Sequence, residues 1–95
     1  MYSELRVYTI SPGAMDAWVA EWLEHVVPLR QRFGFRVPLA WVADGNRFVW
    51  VLAYDGDDYA AANEAYYASE DRRTVEPEPS RHVEDAEFWS LRPVI

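Results

Sequence analysis

Between Glu4 and Ile10 the chain alternates, with Leu5, Val7 and Thr9 on one side and Glu4, Arg6, Tyr8 and Ile10 on the other. A period of two predicts a strand. Ser11-Pro12-Gly13 breaks the alternation, and Asp16 supplies the acidic side chain that the first turn of a helix favours. Met15, Trp18, Val19, Trp22, Val26, Leu29 and Phe33 then recur at steps of three and four. That spacing gathers them into one stripe of an amphipathic helix of about five turns. Gly34 stands where a left-handed C-terminal cap is wanted. Pro28 falls inside the helix, where it removes a backbone hydrogen bond and is expected to kink the last turns.

The remaining pattern completes a second half of the same kind. Phe35 to Ala43 and Arg47 to Tyr54 read as strands joined by the hairpin turn Asp44-Gly45-Asn46. Asp55 to Asp58 is another turn, with Asp57 the expected N-cap of a helix over Tyr59 to Ala68. Ser69 is expected to cap one more turn, Glu70 to Thr74. Val75 to Ser80, with Pro77 and Pro79, reads as an ordered loop, and the last strand runs from Val83 to Leu91 before Pro93. The order β-α-β-β-α-β predicts one α+β domain over residues 1–95, a ferredoxin-like fold with a four-stranded antiparallel sheet in the order 4-1-3-2. That order puts the second strand at an edge, where its Pro38 is tolerated.

One strand changes the picture. Phe48-Val49-Trp50-Val51-Leu52-Ala53-Tyr54 is apolar on both faces, yet two helices cover only one face of such a sheet. Either Phe48, Trp50 and Leu52 or Val49, Val51 and Ala53 would then lie in water, and a patch of that kind normally marks an interface. The expectation is a homodimer with two sheets packed face to face. The alternative is a monomer whose second face is covered by the loop from Thr74 to Arg81, although polar, proline-flanked residues are poor material for that.

Composition narrows the function classes. The nine basic residues are all arginine, and the net charge is −7. Nucleic acid is therefore not expected as a partner, since phosphate binding needs a basic face. No apolar run is long enough for a membrane span, and no signal-peptide layout opens the chain, so no membrane association and a cytoplasmic location are expected. There is no cysteine, hence no disulfide, thiolate metal site or cysteine nucleophile. His25 and His82 are the only imidazoles and form no ligand motif, so neither a metal nor another cofactor is expected. His82, beside Glu84 and Asp85, reads as a solvated strand entry.

Several segments together resemble the NIPSNAP family. They are Glu4-Leu5-Arg6-Val7-Tyr8-Thr9 followed by Pro12-Gly13, Pro28-Leu29 late in the helix, Trp41-Val42, Asn46-Arg47-Phe48-Val49-Trp50 and Ala65-Tyr66-Tyr67-Ala68-Ser69. The resemblance implies a dimeric α+β barrel. It implies no single activity, because relatives across that superfamily include cofactor-free monooxygenases, polyketide cyclases, isomerases and haem proteins. Eukaryotic members look mitochondrial, but no transit-like segment is visible here. The chain departs from the family after Ser69, where Glu70-Asp71-Arg72-Arg73 stands in place of an expected aromatic residue. A pocket closed by that aromatic would here be wider or differently shaped.

Against this background, three residues are candidates for catalysis. His25, at the margin of the apolar stripe, is a candidate general base; its structural alternative is pairing with Glu21 one turn earlier. Tyr8 is a candidate hydrogen-bond donor and Arg6 a candidate anion stabiliser on the same strand face. In a structural role, Arg6 would instead pair with Glu4 of the partner subunit or with Glu84 or Glu87. Most of the five tryptophans and six tyrosines are core, and Trp22, Trp50 and Tyr66 are the candidates for lining a ligand cavity. The expected function is therefore binding of a small apolar or aromatic molecule, with cofactor-free acid/base chemistry of an oxygenase, cyclase or isomerase type. A non-catalytic ligand-binding or structural dimer module is the alternative.

Overall fold

In a computed structural model describing residues 1–95, two helical segments lie side by side across one face of a four-stranded antiparallel sheet. The strands are β1 (Tyr2–Ile10), β2 (Phe35–Ala43), β3 (Arg47–Tyr54) and β4 (Val83–Leu91), in the order β2-β3-β1-β4. This is the α+β, ferredoxin-like arrangement expected from the pattern, with β1 begun two residues earlier than the alternation suggested. β2 is an edge strand, and its register with β3 shifts between Arg36 and Leu39, around Pro38, whose ring nitrogen cannot donate to the ladder.

The long helix is not uniform. Its first part, α1 (Met15–Glu21), and its last, α2 (Val27–Arg32), are separated by a π-helical segment over Trp22–Val26, in which the Val27 amide donates to Trp22 O. Pro28 explains this interruption. In a continuous α-helix its ring would collide with the carbonyl four residues earlier, and a single wider turn relieves the clash. The expected kink is thus absorbed as one inserted residue. Gly34, at φ 89°, ends the helix in the left-handed conformation.

Two shorter helices follow β3, α3 (Tyr59–Ala68) and α4 (Glu70–Arg73), and a 3₁₀ turn over Pro79–His82 leads into β4. The cap of α3 is Asp58 and not Asp57: its carboxylate accepts from the Ala61 amide at 3.0 Å. An N-cap stands immediately before the first helical residue, where its side chain can reach the second or third amide of the helix, and with the helix beginning at Tyr59 that residue is Asp58. Ser69 caps α4 by accepting from the Arg72 amide at 3.1 Å. His82 is not a solvated strand entry, because its ring bonds Glu21 at 3.2 Å and is mostly covered.

The core lies between sheet and helices. Tyr8 and Ile10 from β1, Phe35 from β2, Phe48, Trp50 and Leu52 from β3, Trp18, Trp22 and Leu29 from the long helix, and Tyr66 from α3 are its buried members. Trp22 packs edge-on against Phe48 and Trp50, with centroids 4.9 and 5.4 Å away. The other sheet face carries no helix. It presents Leu5, Val7, Val49 and Val51, half-buried, flanked by the exposed Leu39, Trp41, Trp89 and Leu91. No helix is long and apolar enough to cross a membrane.

Candidate functional site

The alternation of β1 turns Glu4, Arg6, Tyr8 and Ile10 toward the helices. Arg6 and Glu4, two positions apart on one face, form a buried ion pair within the chain, with Arg6 Nε donating to Glu4 Oε1 at 2.8 Å. Glu4 of the same subunit therefore supplies the counter-charge, and neither Glu84 nor Glu87 is needed. The remaining guanidinium nitrogens meet hydroxyls. Nη1 donates to Tyr8 at 3.1 Å and to Tyr67 at 3.2 Å, and Nη2 donates to Tyr59 at 3.1 Å. Tyr59 in turn donates to Glu4 Oε1, and Tyr2 donates to Glu4 Oε2. Phe88 and Trp50 stack on the guanidinium, at 4.9 and 5.4 Å from their centroids. A buried cation is stable in such a site because both its charge and its donors are matched.

Arg30, on α2, is buried without such matching. It is 1% exposed, its Nη1 donates to Asn63 Oδ1 at 2.9 Å, its Nε has no acceptor, and no carboxylate pairs with it. Its guanidinium instead lies over aromatic rings, 3.7 Å from the Tyr66 centroid, 4.7 Å from that of Phe35 and 5.1 Å from that of Tyr67. Burial, with the nearby charge of Arg6 adding to it, pushes Arg30 below the ordinary guanidinium range despite the tyrosines around it.

Tyr67, at the C-terminal end of α3, is where the two arginines converge. The residue is 45% exposed while its hydroxyl accepts from buried Arg6. Burial of the phenol raises its pKa, but the charges of Arg6, Arg30 and Arg72 outweigh this and hold it below the usual tyrosine range. Tyr8 behaves oppositely. Burial dominates there and pushes its phenol up, so that it remains a neutral donor at physiological pH. Tyr59 is pushed up to about 12, by burial first and by Glu4 beside it.

These groups surround a cavity of about 470 Å³ between helices and sheet. Tyr8, Trp18, Trp50 and Tyr66 form its aromatic wall, Arg30, Tyr67, Arg72 and Arg73 its polar side, and Glu78 to Ser80 its outer edge. Arg72 is neutralised there by a two-bond pair with Glu78, at 2.7 and 3.0 Å. On four of the lining residues a buried group has no partner in the protein: Trp18 Nε1, Trp50 Nε1, Tyr66 OH and Arg30 Nε.

Of the residues singled out in the sequence, Tyr8, Trp50 and Tyr66 line the cavity. Trp22 does not; it is buried in the core against Phe48 and Trp50. Arg6 lies next to the cavity, bonded to its lining residues Tyr8 and Tyr67. His25 sits on the π-helical segment, outside the lining, its side chain 30% exposed and its Nε2 3.9 Å from Glu24. Glu21, its expected structural partner, bonds Arg81 and His82 instead. Arg30 and Arg72 escaped the sequence pattern. The signal for Arg30 was Pro28: an inserted residue turns everything after it back by about 100°, which carries Arg30 from the margin of the stripe into the core.

A four-stranded antiparallel sheet with its helices on one side and an aromatic cavity beneath them defines an α+β protein of the ferredoxin-like class, a fold shared with antibiotic biosynthesis monooxygenases. Within that class, residues 3–94 match the NIPSNAP family model, and the chain belongs to the NIPSNAP family. An uncharacterised NIPSNAP domain protein from Burkholderia xenovorans is 25% identical, with 98% of this chain and 94% of that one aligned and a TM-score of 0.83. A NIPSNAP family protein of unknown function from Agrobacterium tumefaciens is 20% identical over 98% of this chain and 87% of its own, with a TM-score of 0.86. The fold extends to a putative antibiotic biosynthesis monooxygenase from Nitrosomonas europaea, 14% identical over the whole of both chains with a TM-score of 0.70. None of the curated proteins matches the chain.

Proposed function

We propose that this protein binds a flat apolar or aromatic small molecule in the cavity between helices and sheet, and that Tyr67 exchanges a proton with it. The observation that carries this is the pairing of an aromatic-walled cavity with a phenol held by Arg6 at 3.2 Å and depressed by three guanidinium groups. A tyrosine whose pKa is lowered toward the working pH serves as a general base and, once protonated, as a general acid. Tyr8, kept neutral by burial, is the donor that would hold a ligand oxygen. Arg6, saturated by Glu4 and three tyrosines, positions Tyr8 and Tyr67 and does not touch ligand. His25 has no part in the proposed proton transfer, since it does not line the cavity.

The working unit is proposed to be a homodimer. The helix-free face, with Leu5, Val7, Val49 and Val51 at its centre and exposed Leu39, Trp41, Trp89 and Leu91 around them, supports sheet-to-sheet pairing. The solved fold relatives that carry the name antibiotic biosynthesis monooxygenase support an oxygenase-type reaction as the class of chemistry.

The test is to identify the molecule that co-purifies from the native host and follow exchange of its acidic hydrogens in deuterated buffer by mass spectrometry. Exchange is expected with the wild-type protein and not with Tyr67→Phe, while both bind. Binding without exchange in the wild-type protein would overturn the proton-transfer role and leave a non-catalytic binding module.

A further inference from the structure

Arg6 and Arg30 are both buried cations, and their contrast identifies the ligand's chemistry. Arg6 is bonded to one carboxylate and three tyrosine hydroxyls. Arg30, at 1% exposure and on the cavity wall, has one neutral acceptor, Asn63, and an Nε with none. Removing one partner of a buried charge pair is normally costly, so a buried arginine without a carboxylate is an incomplete pair. The aromatic rings above and beside it stabilise a cation but accept no in-plane N–H bond. The cavity lining also carries three arginines against one carboxylate, Glu78, which is consumed by Arg72. This local excess of positive charge runs against the chain's net charge of −7.

From these observations, and resting on the cavity being a ligand site as proposed above, we infer that the ligand is an aromatic acid whose carboxylate is anchored by Arg30. The acid completes the ion pair that the protein leaves open, and its ring occupies the space walled by Trp18, Trp50 and Tyr66. A guanidinium presents its donors in a planar fork that matches a carboxylate, which a neutral amide of the same shape cannot replace.

The distinguishing experiment is calorimetric titration of the intact protein with 2-naphthoate and with its neutral isostere 2-naphthamide. Naphthoate is expected to bind at least about tenfold more tightly than the amide, as charge-assisted hydrogen bonds of this kind allow. In Arg30→Met that preference is expected to vanish, with amide binding retained. The same variant is expected to melt no lower than the wild type, because removing an unpaired buried charge relieves desolvation. Equal binding of acid and amide would overturn the anionic ligand and leave the cavity's binding role standing. A preference that survives in Arg30→Met, or a variant that binds alike but melts much lower, would make Arg30 a structural residue. Binding of neither compound would count against the cavity itself.

Discussion

Arg6 Nη1 and the Tyr67 hydroxyl, 3.2 Å apart, tie the central strand β1 to the end of α3. The bond joins the best-compensated charge of the core to a half-exposed tyrosine of the cavity wall. Its consequence is electrostatic: the phenol lies close to one buried guanidinium and near two others.

Tyr67 should therefore ionise below the usual tyrosine range. Spectrophotometric titration of tyrosinate in the wild-type protein is expected to show this early step, and Tyr67→Phe is expected to remove it. Because the folded-state pKa is depressed, the ionised phenol adds stability above that step, and the contribution is lost as the pH falls through it. A titration curve identical in Tyr67→Phe would place the early ionisation elsewhere.

The Glu4–Arg6 pair should be costly to break from one side. Glu4→Ala leaves a buried guanidinium without its carboxylate, for an expected loss of about 3–5 kcal/mol in denaturant unfolding. Replacing both partners by apolar residues, Glu4→Leu with Arg6→Met, is expected to recover much of that loss. A Glu4→Ala variant as stable as the wild type would mean that the tyrosine hydroxyls alone compensate Arg6.

Acid stability should depend on Glu78. The hydrogen-bonded guanidinium of Arg72 and the Ser80 amide hold its carboxyl at about 2, below an unperturbed 4.5. A depressed folded-state pKa contributes stability above the unfolded value, and this contribution fades as the pH falls from about 4.5 toward 2. Glu78 is partly exposed, so solvent screening limits the effect to under about 1 kcal/mol. Denaturant midpoints measured across that range are expected to fall less steeply in Glu78→Gln.

The helix-free sheet face should hold two copies together. A charge introduced at its exposed edge, Trp41→Glu or Trp89→Glu, is expected to convert a dimer into a monomer in light scattering while leaving the helix-facing core intact. A monomeric mass for the wild-type protein at micromolar concentration would contradict the proposed assembly.

The parts of this molecule that depend on local rules were legible in the sequence. The alternation in β1, the two-faced apolarity of β3 and the proline in β2 lead to the observed strand order, because side-chain period and backbone donors act at short range. The site was harder to read. Tyr8, Trp50 and Tyr66 were visible as aromatics on converging elements, whereas nothing in the apolar spacing singles out Arg30, because the π-helical turn over Trp22–Val26 breaks the uniform 100° rotation before it. His25 drew notice as an isolated imidazole, yet cavity membership depends on how α2, α3 and the 3₁₀ turn meet, and that is a tertiary property. The pairing of Glu21 with Arg81 and His82, about sixty residues away, lies beyond reach of sequence spacing for the same reason.

The central claim is that the cavity beneath the helices is an occupied ligand site. Native mass spectrometry of the protein purified from its own host tests it most directly. The expected result is a subunit or dimer mass increased by one small molecule per chain, released on denaturation and identified as an aromatic compound. Bare protein masses alone, both from the host and after incubation with 2-naphthoate, would contradict it.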